Sequence, residues 1–150
     1  MRRLAAILLF CVAGSASAGF DEGAVAYEAG DYAKAHAEWK PLAEQGDAQA
    51  QYNLGIMHLE GQGVARSARK AAEWFHKAGK QNHAAAQYNL ATLYASGQGV
   101  AKNPKLMLTW LRFAAEQGYA LAQYDLGALY ADGQGLPQDK AQAAQWYRKA

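Results

Sequence analysis

A repeat of 36 residues dominates the amino-acid sequence. The segment AQYNLG returns as AQYNLA and AQYDLG, at Ala50–Gly55, Ala86–Ala91 and Ala122–Gly127. The segment GQGV keeps the same interval, ending as GQGL, at Gly61–Val64, Gly97–Val100 and Gly133–Leu136. A period in the mid-thirties is typical of stacked helix-turn-helix units. The sequence therefore predicts an all-α fold, an α-solenoid (superhelix) of antiparallel helix-turn-helix repeats with about three and a half units.

Each unit contains two apolar stripes with the spacing of buried helical faces. In the first complete unit the stripe of the first helix, helix A, is formed by Ala50, Leu54, Met57 and His58. The stripe of the second helix, helix B, is formed by Ala71, Trp74, Phe75 and Ala78. Small residues stand where the two helices are expected to approach most closely, at Gly55, Ala91 and Gly127.

The glycine turns are predicted to end helices. The first glycine of each turn follows the last residue of helix A, where a left-handed C-cap is expected, at Gly61, Gly97 and Gly133. Helix B is predicted to begin after the N-caps Ser67, Asn103 and Asp139 and to end at Gly46, Asn82 and Gly118. Val64, Val100 and Leu136 are expected to fold back over the core. A phosphate-binding loop would need a following Lys-Ser/Thr and a preceding strand, so no nucleotide site is predicted.

The first unit is irregular. Asp31 has the N-cap position of Ser67, which predicts a helix B from Tyr32 to Gln45. The turn before Tyr32 is predicted to be five residues shorter than its counterparts. Phe20 to Ala29 then forms a short opening helix, which suits an N-terminal cap on the stack.

The N-terminus has the pattern of an export leader. Arg2-Arg3 precede an apolar run from Leu4 to Val12 and an A-x-A site that ends at Ala18, which predicts a signal peptide over residues 1–18. The expected mature protein starts at Gly19 and is periplasmic or secreted, without stable membrane insertion. Cleavage would remove the single cysteine, Cys11, and would leave 13 basic against 13 acidic residues. That balance argues against nucleic-acid binding.

The motifs Gln-x-x-Leu-Gly, Tyr-x-x-Gly-x-Gly-Val and Ala-x-x-Trp-Tyr/Phe-x-Lys-Ala resemble the Sel-1-like repeat family, which is related to the tetratricopeptide repeats. The resemblance gives an atypical tetratricopeptide-like unit over 19–46 and Sel-1-like repeats over 47–82, 83–118 and 119–150, the last incomplete. His58, Ala91 and Asn82 depart from the usual Tyr, Gly and Gly.

The resemblance also implies a concave groove lined by the helices A. The candidate binding residues on this face are Tyr52, Asn53, Ile56, Tyr88, Asn89, Thr92, Tyr124 and Asp125. Phenol rings and carboxamides suit an extended peptide, because they offer contact area and partners for its backbone. Alternatively, the tyrosines pack against neighbouring repeats and the amides bridge or cap helices.

No catalytic or metal-binding set is predicted, and no cofactor. The histidines His36, His58, His76 and His83 neither follow the period nor form an H-x-x-x-H pair. No mature cysteine remains as a nucleophile, and no serine has a nucleophile-elbow or Ser-x-x-Lys context.

The leading expectation is a non-enzymatic scaffold that binds a protein or peptide partner. The alternative is an accessory or regulator of a cell-wall or envelope-polysaccharide enzyme. A third class is a hydrolase of β-lactams or wall fragments, although the paired cysteines of the family members linked to that activity are absent. Self-association is expected through an exposed apolar C-terminal end around Trp146 and Tyr147.

Overall fold

The computed structural model describes residues 13–150, with side chains from Ala18 onward, and this part of the chain is helical without any strand. The helices are α1 (Ala13–Glu28), α2 (Tyr32–Glu44), α3 (Ala48–Glu60), α4 (Ala68–Lys80), α5 (Ala84–Ser96), α6 (Pro104–Glu116), α7 (Ala120–Asp132) and α8 (Lys140–Lys149). Over residues 13–150, no helix combines the length and apolar character that crossing a membrane requires.

The predicted period is confirmed by the starting points of the helices. The helices A of the three regular units begin at Ala48, Ala84 and Ala120, and the helices B at Ala68, Pro104 and Lys140. Each helix makes its extensive contacts with the helices before and after it in the chain. The all-α solenoid predicted from the repeat is therefore the observed fold.

The predicted helix ends are confirmed as well. The C-caps Gly61, Gly97 and Gly133 have φ of 76°, 77° and 68°, a conformation that favours glycine. The ends of helix B at Gly46, Asn82 and Gly118 also have positive φ. Each predicted N-cap side chain accepts a hydrogen bond from a backbone N–H of its helix, in Asp31, Ser67, Asn103 and Asp139.

The first unit differs from its prediction in two details. Helix α1 begins at Ala13, before the predicted Phe20, and runs through Ala18 and Gly19. Alanine favours helix, and the alanines at 13, 16 and 18 extend the helix before Phe20. Three residues join α1 to α2, and seven join α3 to α4, so the first turn is four residues shorter than the second. The predicted difference of five residues was wrong. Most of the predicted leader, residues 1–12, lies outside the described residues.

The core consists of clusters shared by consecutive helices. The largest buried apolar side chains are Trp39, Leu42, Leu54, Met57, Phe75, Leu90, Leu93, Leu111 and Leu126. Val64, Val100 and Leu136 pack against these clusters from the glycine turns, as predicted. Because each cluster joins residues of adjacent units, no unit buries its apolar surface alone.

Buried glutamines tie each helix B to the next helix A. The side-chain amides of Gln51, Gln87 and Gln123 donate to the carbonyls of Ala43, Gly79 and Ala115, at 3.0, 2.9 and 3.0 Å. The same carbonyls accept the turn N–H groups of Gly46, Asn82 and Gly118, so each glutamine adds a second donor at a buried helix end. This repeated hydrogen bond explains why a polar residue stands beside the apolar stripe of helix A.

Candidate interaction surface

The eight predicted binding residues lie at equivalent positions on α3, α5 and α7. We call the surface that they form with their neighbours on these helices the helix A face. Thr92 and Tyr124 are exposed on it, and the other six are partly buried.

Tyr52 bridges two repeats. Its ring stacks on the imidazole of His83, the N-cap of α5, with ring centroids 4.6 Å apart and an interplanar angle of 21°. His83 is fixed by its own contacts, since Nδ1 accepts from the Ala86 N–H at 3.2 Å and Nε2 lies 3.0 Å from Gln49 Oε1. Burial raises the pKa of Tyr52 above its usual value. Packing between repeats is thus one role of this phenol.

Tyr88 makes the corresponding contact one repeat later. Its ring centroid lies 5.2 Å from that of Tyr119, the N-cap residue of α7. Its hydroxyl donates to Asp125 Oδ2 at 3.0 Å, which joins two of the predicted residues in one hydrogen bond. Burial is the largest cause that raises the pKa of Tyr88 to about 12, followed by the hydrogen bond and the negative charge of Asp125.

Tyr124 is the most accessible phenol of the three. Its side chain is 58% exposed, and its ring centroid lies 5.3 Å from that of Tyr147. The three tyrosines therefore occupy one repeated position with different surroundings. For Tyr52 and Tyr88 the packing alternative raised by the sequence is realised, while Tyr124 offers most of its ring to solvent.

A cavity of about 350 Å³ opens on the helix A face between α5 and α7. Tyr88, Thr92 and Asp125 line it, together with Met107 and Leu111 of α6 and Leu129 of α7. The sequence did not indicate the contribution of α6, because residues of helix B were expected to face only the core. The cavity is mostly apolar, with the Tyr88–Asp125 hydrogen bond among its lining groups.

The preceding junction shows why this cavity exists. At the equivalent positions between α3 and α5 the chain carries Ile56, Leu59 and Phe75, which pack together with the core there. Between α5 and α7 these are replaced by the smaller Thr92, Ala95 and Leu111. The lost volume leaves a pocket at one junction and a filled ridge at the other.

A second cavity, of about 440 Å³, lies between α1 and α3 on the other side of that ridge. Three predicted residues line it, Tyr52, Asn53 and Ile56, and two carboxylates, Glu28 and Glu60, accompany them. Thus the helix A face has two cavities that flank the filled α3–α5 junction. Six of the eight predicted residues line one or the other; Asn89 and Tyr124 line neither.

Helical hairpins stacked at a constant period, with cavities between neighbouring helices A, define a helical-repeat protein of the kind that offers an extended surface to another molecule. The chain belongs to the Sel1 repeat family, whose repeat matches residues 48–83, 84–119 and 120–150. Proteins of this family generally mediate protein–protein interaction.

Two solved structures are similar to the chain. One is a Sel1 repeat protein from Oxalobacter formigenes, with a TM-score of 0.83 and 35% identity over 87% of this chain and 54% of that one. The other is a protective antigen present in uropathogenic Escherichia coli strains that displays an SLR fold, with a TM-score of 0.83 and 34% identity over 89% of this chain and 30% of that one. The chain therefore spans about half of the first protein and less than a third of the second.

Proposed function

We propose that this protein is an exported, non-enzymatic module that binds an extended segment of a partner protein across the helix A face. The observation that carries the proposal is the pair of cavities on that face, each large enough for a side chain and each lined by partly buried residues of two helices A. Cavities of a few hundred Å³ with a few polar groups are typical binding sites.

The two cavities favour different side chains of the partner. Met107, Leu111 and Leu129 make the α5–α7 cavity suited to an apolar residue. The α1–α3 cavity places the carboxylates of Glu28 and Glu60 beside aromatic rings, which suits the cation of a lysine or arginine.

The position of the cavities constrains the conformation of the segment. The filled junction between α3 and α5 separates them, so one segment that fills both must cross that junction in an extended conformation. The partner motif is therefore a basic and an apolar residue on one extended segment.

A cavity-filling variant tests this proposal. Thr92→Ile with Ala95→Leu introduces the residues that the preceding repeat carries at Ile56 and Leu59, so the variant should fold. Filling the cavity should weaken capture of partner proteins from an envelope extract by about tenfold or more, as expected when a well-packed anchor is lost. Thr109→Ile on the exposed surface of α6 is the matched control. Equal capture by all three proteins would contradict the assigned surface.

The identity of the captured protein separates the two expected functions. A regulator of envelope enzymes would retain a cell-wall or polysaccharide enzyme, and a general scaffold would retain other proteins. Purified protein should not hydrolyse a chromogenic β-lactam; turnover that persists after repeated purification would refute the non-enzymatic assignment.

Export remains part of the proposal and is supported by the leader pattern. A chain that starts at Gly19 would keep the contact between Phe20 and α2, where the Trp39 indole N–H donates to the Phe20 carbonyl at 3.1 Å. Mass spectrometry of the protein from the periplasmic fraction should find Gly19 as the first residue. An intact Met1 in cytoplasmic fractions alone would refute export.

A further inference from the structure

A third cavity, of about 470 Å³, lies away from the helix A face, where the helices B α2 and α4 meet the end of α3. Its titratable residues are His36, Lys40, His58, Lys70, Glu73 and Lys77. The sequence period gave no reason to group them, and the fold brings them together from three helices.

His58 is the most deeply buried polar residue of this cavity. Its side chain is 7% exposed, and its Nδ1 has no hydrogen-bond partner among the described residues. The ring of His36 lies edge-on to it, with centroids 6.2 Å apart and an interplanar angle of 89°. A buried polar atom without a partner is unfavourable, so a ligand oxygen that reached this nitrogen would remove that cost.

The other repeats carry only part of this arrangement, since Lys149 lies 4.2 Å from the ring centroid of Trp146 as Lys77 does from that of Trp74. At the position of His58 they have Tyr94 and Tyr130, and at the position of Lys70 the next repeat has Leu106. Two repeats of the same chain therefore adopt this fold without a histidine at the position of His58 and without a lysine at the position of Lys70. Stacking of the repeats does not explain why both occur at one junction.

The cavity carries an excess of positive charge. Lys77 is held with its Nζ 4.2 Å from the ring centroid of Trp74, which also lines the cavity. Neither Lys70 nor Lys77 has a carboxylate within ion-pair distance in residues 18–150. Lys40 pairs with Glu44 at 3.9 Å, and Glu73 pairs with Arg69 at 3.3 Å. Most of the compensating negative charge is thus missing from the cavity.

We propose that this cavity binds a phosphate group, either free or esterified, through Lys70, Lys77 and the unpartnered Nδ1 of His58. A phosphate group carries a charge of about −1.5 to −2 near neutral pH, which matches the excess charge of three lysines and one glutamate. Ammonium groups and an imidazolium N–H make charge-assisted hydrogen bonds to its oxygens. The site is separate from the helix A face, and it does not depend on the peptide-binding proposal.

Protonation of His58 should be coupled to phosphate binding. Burial is the main cause that lowers the pKa of His58, and Lys70 lowers it further, while the nearby Ala65 backbone and the charge of Glu73 act in the opposite direction. On the α2 side, His36 and Lys40 face the same cavity, as does Lys77 on the α4 side. A bound dianion favours the imidazolium, so phosphate binding should raise the pKa of His58.

Nuclear magnetic resonance of the histidine rings tests the proposal. Inorganic phosphate is titrated into the protein at constant ionic strength, with chloride as the balancing salt. We expect saturable shifts of the His58 ring signals and a higher His58 pKa in phosphate than in chloride. No saturable shift, the same shift in chloride, or equally tight binding of acetate would overturn the assignment.

Variants taken from the chain's own repeats locate the site. His58→Tyr and Lys70→Leu carry the residues of the next repeat and should keep the helical circular dichroism spectrum. Each should weaken phosphate binding by about tenfold, the usual effect of losing one charged hydrogen bond. Lys105→Gln removes an exposed lysine outside the cavity and should leave binding unchanged. Wild-type affinity in both cavity variants would overturn the site.

The source of the phosphate is decided by two further ligands. Glycerol 2-phosphate represents a soluble monoester, and vesicles that contain phosphatidic acid represent a lipid headgroup. Competition of either with inorganic phosphate supports the proposal and names the source. Binding to vesicles that inorganic phosphate does not displace would overturn it, because the contact would then lie elsewhere on the surface.

Discussion

One methyl group at Gly55 tests how tightly the paired helices are packed. A Cβ at this position would lie 2.5 Å from Phe75 Cδ1 and still closer to Cε1. Phe75 is fully buried and cannot move toward solvent. In the next repeat the same two positions carry Ala91 and Leu111, so the chain combines a methyl group with a smaller partner there.

The expected effect of Gly55→Ala follows from two opposing contributions. Overpacking against a fully buried ring costs about 3 kcal/mol, the upper part of the usual range. Replacing glycine by alanine within a helix stabilises it by about 1 kcal/mol. The free energy of unfolding should therefore fall by about 2 kcal/mol, and the melting temperature by about 4–8 °C for a domain of this size.

A double-mutant cycle identifies the cause. Phe75→Leu alone should destabilise by about 1–2 kcal/mol, because buried ring surface is lost. Gly55→Ala combined with Phe75→Leu reproduces the Ala91–Leu111 pair and should be more stable than the sum of the single variants by about 2 kcal/mol. Urea unfolding followed by circular dichroism measures all four proteins.

Gly127→Ala provides the control for this cycle. A Cβ at Gly127 would lie 2.9 Å from Tyr147 Cδ1, but Tyr147 is 40% exposed and has room to move. The same substitution should therefore leave stability almost unchanged there. Additive effects at Gly55 and Phe75, or an equal loss at Gly127, would refute the role of close helix packing.

Three further predictions concern single hydrogen bonds. Asn103→Ala removes the acceptor of two backbone N–H groups at the start of α6 and should lower stability by about 1 kcal/mol in urea unfolding, whereas Asn103→Asp should not. Gln87→Leu removes the side-chain donor of the buried Gly79 carbonyl, which keeps the Asn82 N–H, and also removes the acceptor of the Gln117 amide. It should cost about 1 kcal/mol in the same assay, and an unchanged midpoint would exclude this role. The pKa of Tyr88 is raised from 10.0 to about 12, which means that the folded protein favours the neutral phenol. The contribution of this phenol to the free energy of unfolding is therefore fully present below pH 10 and is lost as the pH rises through about 12. Ultraviolet titration should show this late-ionising phenol in the wild type but not in Tyr88→Phe.

The fold could be predicted in detail because its signals are local. Caps such as Asp31, Ser67 and Asn103 act within a few residues of the helix that they begin, and a repeat presents the same signal several times. The extent of α1 was predicted less well, because the prediction placed the start of the helix after the expected cleavage site and α1 begins before it. The length of the first turn was also wrong, since it depends on how α1 packs on α2.

The candidate surface was predictable only in its position. The period identified Tyr52, Tyr88 and Tyr124 as one repeated position, and the helices place them on one face. Their different surroundings come from the neighbouring repeat, where His83 meets the first and Tyr119 the second. Such contacts join residues about one repeat apart, which periodicity alone does not distinguish.

The sequence by itself determined the all-helical architecture, the 36-residue period and the ends of the regular helices, because helix formation, capping and left-handed glycines depend on neighbouring residues. The tertiary structure decided which junctions are filled and which are open, and it brought His36, His58 and Lys70 into one cavity. The physical reason is that a cavity depends on the combined volume and charge of side chains from three helices. Each of these helices, taken separately, satisfies the same repeat.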